Sequence, residues 1–444
     1  MTSNIQSSSN KKILTTWLVL LLVKLLISYF LPLSSDEAYY WVWSNNMQLS
    51  YFDHPPFISW LFYVGHLFEG WGHLVRLPAI VLAHSSLLIW ALILKDKIKN
   101  LSVFFLFIFF SPILGLGSLI LTPDLPVIFF WSLSTYLFLK ILKNNSALLY
   151  SLLGISLGLG FCSKYHIVLF PIFCILFLTI EKKWALIDLK KIMWTIVFGL
   201  LFSSPVILWN VSNGFQSFAF QFKHGLGRTH WKPEWTITYF LGQFAAIFPI
   251  PAIIALRAKL KDHDRLHFYL GFGPILFFGI TSYRGVVEAN WPDVGYFSIY
   301  SLFFIASINL KPAARTISIW IAIYLLIFFQ YNYNFFNINT DKLREPFKYQ
   351  ALIPTVNKYQ PLYGGTYQMS STLWYLTKKP FYKLRGFNRF DFFDTIQDSF
   401  QLPDKFYLLR DKDADIPGWL GHAFNLEIIE TINSEFEVLE FRRK

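Results

Sequence analysis

The chain has 444 residues, of which 54% are hydrophobic, 20% aromatic and only 15% charged. Soluble domains carry about 25% charged residues, so this composition excludes a soluble globular protein and a disordered chain. The net charge is +12, which basic loops on one side of a membrane explain better than nucleic-acid binding does. Both cysteines, Cys162 and Cys174, lie in apolar runs, which excludes a disulfide framework and a thiolate metal site.

The apolar residues form runs long enough to cross a bilayer as helices, which takes about 20 residues each. They predict a polytopic α-helical membrane protein with about 11 transmembrane helices. No small-residue cleavage site follows the first run, so we interpret it as an uncleaved signal anchor. The predicted spans are roughly 13–31, 74–94, 102–120, 124–142, 147–162, 166–180, 191–209, 237–256, 267–282, 294–309 and 314–330.

Lysine and arginine predict the orientation of these spans. With the N-terminus in the cytoplasm, the cytoplasmic segments hold 17 basic residues and the short loops on the other side hold 5. Cytoplasmic loops are enriched in lysine and arginine. An odd number of spans then places the C-terminus outside.

The composition changes after Gln330. Residues 331–444 carry 15 basic and 14 acidic residues and no further run long enough to span a membrane. Phe406–Leu409 and Glu427–Ile429 are typical of strands, and Ser370–Leu376 predicts the start of a helix. We therefore expect a transmembrane domain over residues 1–330 and a small α/β domain over residues 331–444, outside the membrane.

The first outer loop, Pro32 to Gly72, contains four acidic residues and no lysine or arginine. Its aromatic stretches predict helices in the plane of the membrane interface, the second one starting at the two prolines of the segment Tyr51 to Pro56. The adjacent carboxylates of Asp36 and Glu37 lie at the mouth of a span, where charge is costly. Partial desolvation there would raise the basicity of a carboxylate. The alternative is a solvated acidic loop end.

Two shorter outer segments also carry isolated charges. Asp124 lies in the turn from Thr122 to Pro126, where it is either functional or the N-cap of the next span. Lys164 follows a span in which Gly154 and Gly158 predict close helix packing. This lysine either binds an anion or extends its side chain along the membrane surface.

The remaining outer loops are basic or mixed. Basic groups beside glycines suit a phosphate ligand, although they also fit a solvated mobile loop; these are Lys223, His224, Arg228, His230 and Lys232. The next loop contains Arg284 and Glu288, which could form a structural ion pair. Together the outer segments offer carboxylates that can take a proton from an acceptor hydroxyl and cations that can hold a departing phosphate. No Walker or dinucleotide-binding glycine loop is present.

Five motifs occur in an order that resembles a known family. The sequence resembles bacterial GT-C glycosyltransferases related to protein O-mannosyltransferases and to the lipid A aminoarabinose transferase, over about residues 13–310. The motifs are Asp36-Glu37, Tyr51-Phe52-Asp53-His54-Pro55-Pro56, Thr122-Pro123-Asp124-Leu125-Pro126, Ser163-Lys164-Tyr165 and Glu288-Ala289-Asn290-Trp291-Pro292.

The resemblance implies an inverting transfer of a sugar from a polyprenyl phosphate. Asp36 matches the family's catalytic Asp, with Glu37 and Asp124 as supporting acids. Lys164 matches a lysine expected on the donor phosphate, and Arg228 and Arg284 are further cationic candidates. Substrate contacts are also expected from Asp53, His54, Tyr165 and Glu288. Some members bind a divalent cation, for which Asp53 and His54 could supply ligands, so the metal is left open.

We therefore predict a GT-C type transferase of the bacterial inner membrane, with interfacial helices in the first periplasmic loop and a small C-terminal periplasmic domain. Its partners would be a polyprenyl-phosphate-linked sugar, a lipid or glycan acceptor, most simply lipid A or lipopolysaccharide core, and membrane lipids, but no nucleic acid. A protein O-glycosyltransferase is the alternative among enzymes. A flippase for lipid-linked sugars is the alternative from another class, but it should carry charges deep inside its spans, where this chain has only Lys24 and Arg76.

The charge bias makes the topology testable. A reporter enzyme that is active only in the periplasm should be active when fused after Lys444 and inactive when fused near Lys183. The reverse pattern of activity would overturn the orientation and the site assignments that depend on it.

Overall fold

The protein is described by a computed structural model that covers residues 2–227, 230–307, 309–334, 341–396 and 402–444. These residues form two compact units. The first unit contains Met1–Phe30 and Leu49–Phe329, and the second unit contains Leu31–Gln48 and Gln330–Lys444. Residues 31–48, which the sequence placed with the membrane domain, are therefore grouped with the C-terminal residues.

Helices dominate the described residues, and the strands found among them all lie near the C-terminus. In chain order the helices are α1 (Thr2–Phe30), α2 (Ser35–Ser44), α3 (Phe57–Gly65), α4 (Leu77–Leu94), α5 (Leu101–Phe110), α6 (Asp124–Ile141), α7 (Ala147–Ser163), α8 (Leu169–Ile180), α9 (Ile192–Ser212), α10 (Gln216–Leu226), α11 (Pro233–Ile247), α12 (Pro249–Leu256), α13 (Arg265–Thr281), α14 (Tyr296–Ala306), α15 (Lys311–Tyr333), α16 (Asp341–Lys348), α17 (Ile353–Lys358), α18 (Tyr367–Thr377), α19 (Phe392–Thr395) and α20 (Gly418–Ala423). The strands are β1 (Leu362–Gly364), β2 (Lys405–Asp411), β3 (Phe424–Ile432) and β4 (Phe436–Arg443).

All eleven predicted apolar runs are mostly helical where the structure describes them. By length and composition, five helices among the described residues can cross a membrane: Asn10–Phe30, Leu74–Leu94, Asp124–Ile141, Ile192–Ser212 and Lys311–Tyr333. Two further pairs, α5 with Pro112–Leu119 and α11 with α12, are bent by 81° and 89°, and counting each pair as one span gives seven. A proline follows each break, where it removes a backbone donor. The predicted count of eleven spans stays a prediction, because several of the other apolar helices are short.

Glycines bring α7 and α9 into close contact, as the sequence predicted. A Cβ atom added at Gly154 would lie 2.5 Å from the carbonyl oxygen of Thr195, and one added at Gly158 would lie 2.7 Å from that of Gly199. These distances are shorter than any normal van der Waals contact. The two helix backbones therefore approach each other directly, as small residues allow in membranes.

The second unit contains a four-stranded sheet in the order β1-β2-β4-β3. β1 is parallel to β2, and β4 is antiparallel to both of its neighbours. Phe406 faces Phe441 across the sheet, with their rings stacked at 4.9 Å, in a buried cluster that also contains Leu408 and Leu439. The predicted strand segments lie in β2 and β3, and the predicted helix is α18, which begins at Tyr367 after its N-cap Thr366.

Both aromatic stretches of the first outer loop form helices, with α3 beginning just after Pro56. The aromatic side chains of α2 are buried within the second unit. Tyr39 contacts the rings of Phe392 and Phe393, and Trp41 contacts Tyr375. The aromatic character of α2 therefore reflects packing against protein in this unit.

The glycine contact between α7 and α9 can be tested by adding one methyl group. Gly158→Ala should lower the stability of the purified protein by about 1–3 kcal/mol, the usual cost of overpacking, as measured by thermal unfolding in detergent. Gly199→Ala is the matched control, because its Cβ would lie 3.7 Å from the nearest atom and alanine is the better helix former. Equal stability of the two variants would show that the close approach is not required.

Candidate active site

The first unit places three polar side chains around Asp124. One carboxylate oxygen of Asp124 forms an ion pair with Lys164 Nζ. The other oxygen accepts hydrogen bonds of 3.0 Å from the hydroxyl of Thr122 and 3.0 Å from the amide of Asn290. The cluster therefore joins three segments that are far apart in the sequence.

Asp124 is the first residue of α6, but it does not cap that helix. Pro123 occupies the N-cap position and provides no side-chain hydrogen bond. The carboxylate of Asp124 bonds instead to the neighbouring segments, while the positive end of the helix dipole stabilises its charge. The structural alternative considered for this residue, a simple N-cap, is therefore wrong.

Lys164 is 7% exposed and Asp124 is 5% exposed. The expectation of a lysine that extends along the membrane surface is wrong, because its ammonium group is held inside the protein by the carboxylate. An ammonium group has three donors. Among the described residues, Lys164 uses one of them, in its hydrogen bond to Asp124. Two donors of Lys164 therefore remain for a ligand.

A second carboxylate lies near this pair. Asp293 is 1% exposed, and its charge interacts with those of Asp124 and Lys164. Within the described residues its Oδ1 atom has no hydrogen-bond partner, which is costly for a buried polar atom. The sequence analysis did not select Asp293 or Asn290 as site residues, although Asn290 belongs to the Glu288 motif and Asp293 follows it directly.

An apolar cavity, about 670 Å³ including space that is open to solvent, lies beside the cluster. Trp291, which follows the Asn290 that binds Asp124, lines this cavity together with His166, and their ring centroids are 5.6 Å apart. The rest of the lining is mostly apolar or aromatic, including Val168, Leu169, Phe222, Phe277 and Phe278. The polar cluster and the apolar cavity therefore meet at His166 and Trp291.

The predicted contact residues of the first unit lie in the same region of the fold. The charges of Lys164 and His54 both act on His166. The hydroxyl of Tyr165 lies 2.9 Å from that of Ser217. The backbone carbonyl of Asp53, a buried residue, accepts a hydrogen bond from the side chain of Gln221, which also lines the cavity.

The cationic candidates of the later loops are not all described. Arg228 lies outside the described residues. Arg284 and Glu288 are both exposed, and no ion pair joins their side chains in the part of the chain that the structure covers. The partly buried pair considered from the sequence is therefore wrong.

In the second unit, Asp36 is the second residue of α2 and is exposed. Its Oδ1 atom accepts a hydrogen bond of 3.0 Å from the hydroxyl of Tyr367, the first residue of α18. The guanidinium group of Arg389 lies 4.5 Å from the centre of the Tyr367 ring. Tyr367, a residue of the C-terminal segment, therefore holds Asp36 in place. This contact could not be predicted from the sequence.

Glu37 has a different environment from Asp36. It is fully buried, and its carboxylate accepts hydrogen bonds of 2.9 Å from the backbone N–H and 3.0 Å from the hydroxyl of Ser34. Ser34 in turn accepts from the backbone N–H of Glu37, which completes a capping box. Glu37 therefore fixes the start of the helix that carries Asp36.

Glu345 adds a third carboxylate to this part of the second unit. It accepts hydrogen bonds from the hydroxyl and the backbone N–H of Ser35. Burial raises the pKa of Glu345, and the charges of Asp36 and Glu37 raise it further, against the opposing effect of the Ser35 hydrogen bond. The start of α2 is therefore a strongly negative region.

The sequence left open whether a divalent cation binds. Among the described residues, no group of three or more His, Cys, Asp or Glu side chains is arranged to hold a metal ion.

Three comparisons relate the chain to known proteins. A family model described as dolichyl-phosphate-mannose-protein mannosyltransferase matches residues 53–209. The lipid A galacturonosyltransferase RgtD of Rhizobium johnstonii is 22% identical over 285 residues, which cover 59% of this chain. The alignment spans 58% of the length of that relative.

Solved structures match over the whole chain. ArnT from Cupriavidus metallidurans bound to undecaprenyl phosphate has a TM-score of 0.67 at 13% identity, covering 99% of this chain and 98% of that one. The same protein in the apo state has a TM-score of 0.68 at 15% identity, covering 96% and 98%. These matches confirm the predicted resemblance to GT-C glycosyltransferases and show that the chain has the fold of ArnT.

Because Lys164 is buried in an ion pair, its removal should destabilise the protein. Lys164→Ala leaves Asp124 buried without its counter-ion, so we expect a loss of about 3–5 kcal/mol in stability, measured by thermal unfolding in detergent. The double variant Lys164→Met/Asp124→Asn should recover part of this loss, because no uncompensated charge remains. Lys259→Ala, at an exposed lysine, serves as control. A Lys164→Ala variant as stable as this control would mean that the pair is solvated.

Proposed function

We propose that the chain is an integral-membrane glycosyltransferase that moves a sugar from a polyprenyl-phosphate donor to a lipid acceptor, with inversion at the anomeric carbon. The acceptor is most simply lipid A or lipopolysaccharide core. The reaction takes place on the periplasmic side of the bacterial inner membrane.

One observation carries this proposal, namely that the polar cluster of Asp124 and Lys164 adjoins an apolar cavity. A polyprenyl phosphate has the matching form, with a charged head and a hydrocarbon chain. The head would lie near Lys164 and the chain near Trp291 and the phenylalanines of the cavity. The bound undecaprenyl phosphate in ArnT, which has the same fold, supports this class of donor.

Lys164 is the proposed ligand of the donor phosphate. Asp124 fixes the position of the ammonium group, and the two remaining donors are available to phosphate oxygens. Charge stabilisation of a leaving phosphate inside a low-dielectric site is more effective than in water. Asp53, His54, Tyr165, Arg228 and Arg284 are proposed as further contacts of the donor.

The unpartnered oxygen of Asp293 is suited to a sugar hydroxyl. A buried carboxylate oxygen without a partner gains a hydrogen bond when such a hydroxyl enters. Asp293 is therefore a proposed contact of the transferred sugar, together with the exposed Glu288.

Asp36 is the proposed general base. Its carboxylate takes the proton of the acceptor hydroxyl while the hydroxyl oxygen forms a bond to the anomeric carbon. The bond between that carbon and the phosphate oxygen breaks, and the polyprenyl phosphate leaves with the electron pair. The hydrogen bond from Tyr367 and the capping box of Glu37 fix the orientation of Asp36.

The relatives support two classes of acceptor. The name of the relative RgtD supports lipid A, whereas the description of the matching family model supports a protein acceptor. Protein O-glycosylation is therefore the second candidate. A flippase has no comparable support, because the matching family model and the relative RgtD are both described as transferases.

The proposal predicts a change in lipid A. A strain lacking the gene should show lipid A or core whose mass is lower by one sugar residue in mass spectrometry, and the intact gene should restore it. Asp36→Asn should insert and fold but fail to restore the mass, because the amide cannot accept the proton; general-base catalysis is typically worth about 10²–10⁴ in rate.

Asp413→Asn is the matched control for this experiment, because it makes the same change at an exposed carboxylate of the same unit. It should restore the mass fully. An unchanged lipid A in the deletion strain, with sugar lost from proteins instead, would favour the second candidate. Restoration by Asp36→Asn would show that another residue is the base.

A further inference from the structure

A large cleft lies at the end of the first unit that is remote from Asp124. Asp124 begins α6, and Lys140 lies 16 residues further along the same helix, which corresponds to about 24 Å. The cleft has a volume of about 1080 Å³. It is formed by the C-terminal ends of α4 and α6, by the residues that follow them, and by the segment 261–264.

Lysines converge on this cleft from three segments of the chain. Five of them line it: Lys95, Lys97, Lys140, Lys143 and Lys261. Lys97 forms an ion pair with Asp264. In the part of the chain that the structure describes, Lys95, Lys143 and Lys261 form no ion pair, so their charges are available to a ligand.

The cleft also contains groups that a hydroxylated ligand would satisfy. His263 lines it, and within the described residues its Nδ1 atom is buried without a hydrogen-bond partner. The carboxylates of Asp96 and Asp262 belong to the same lining. Both carboxylates are exposed and would repel a bare phosphate, whereas hydroxyl groups can donate hydrogen bonds to them.

The remaining lining is apolar. Leu92, Ile93, Tyr136 and Leu139 belong to the last turns of α4 and α6, which the sequence predicts as membrane spans. The ammonium of Lys140 lies 5.4 Å from the centre of the Tyr136 ring. Apolar residues at the end of a span and lysines beyond it match the two parts of a lipid, its acyl chain and its headgroup.

We propose that this cleft binds an anionic phospholipid with a hydroxyl-bearing headgroup, of the phosphatidylglycerol class. The lysines hold the phosphodiester, Asp96 and Asp262 accept hydrogen bonds from the headgroup hydroxyls, and the side chains of Leu92 and Leu139 contact an acyl chain. In the predicted orientation this lipid belongs to the cytoplasmic leaflet. The site is separate from the proposed donor site and does not depend on the proposed function.

The proposal can be tested by native mass spectrometry of the purified full-length protein. Phosphatidylglycerol should remain bound at least about tenfold more strongly than phosphatidylcholine, given the favourable energy of each lysine near an anionic lipid. The triple variant Lys95→Gln/Lys143→Gln/Lys261→Gln should remove this preference. The triple variant Lys182→Gln/Lys190→Gln/Lys259→Gln loses the same charge at exposed lysines outside the cleft. This variant should retain the preference for phosphatidylglycerol.

Two further measurements distinguish a lipid site from a free-anion site and from general attraction to a basic surface. Inorganic phosphate at the same concentration should neither compete with the lipid nor raise the unfolding temperature; if it does both, the site binds free anions and the proposal fails. Equal losses of phosphatidylglycerol from the two triple variants would show general attraction to a basic surface and would also overturn the proposal. Phosphatidylethanol, which keeps the singly charged phosphodiester but lacks the headgroup hydroxyls, should bind more weakly than phosphatidylglycerol; equal binding would overturn the assignment of the headgroup to Asp96 and Asp262.

Discussion

The buried ion pair of Asp124 and Lys164 is the interaction on which the proposed donor site depends. Two charges removed from water are tolerated only when each compensates the other and further hydrogen bonds satisfy the carboxylate. Thr122 and Asn290 supply those bonds. The pair thereby fixes the start of α6, the end of α7 and the loop before α14 in one arrangement. Trp291 follows Asn290 directly and lines the apolar cavity together with His166, so a polar and an apolar surface adjoin there.

Much of this region could be predicted from isolated charges. Asp124 and Lys164 were selected because a single acid and a single lysine on a charge-poor side require an explanation. Their pairing could not be predicted, because 40 residues separate them and either could have faced solvent. Asp293 was missed for a related reason. Its significance lies in burial and in an unpartnered oxygen, and neither property is visible in a sequence that reads as an ordinary loop.

The fold shows the same division between local and long-range information. Apolar runs are local and predicted most helices of the first unit, but the sharp bends near Pro112 and Pro249 divide two of them. They did not predict α10 (Gln216–Leu226), which lies in a segment that the sequence analysis interpreted as a basic loop. The grouping of residues 31–48 with the C-terminal segment depends on contacts such as that between Asp36 and Tyr367, which are 331 residues apart. Aromatic residues in α2 suit a membrane interface as well as a protein core, so composition alone could not decide between the two.

The two ends of α6 show how the same residue type serves different purposes in this chain. At the start of α6, Lys164 is buried, and the carboxylate of Asp124 neutralises it before any ligand binds. The effect of this lysine is therefore local and directional. At the other end several lysines surround a cleft without full compensation. The predicted topology requires only that lysines be numerous on the cytoplasmic side of the membrane. It does not require that lysines from three segments converge on one cleft beside an imidazole whose buried Nδ1 has no partner among the described residues. This convergence is what distinguishes a binding site from a general charge bias.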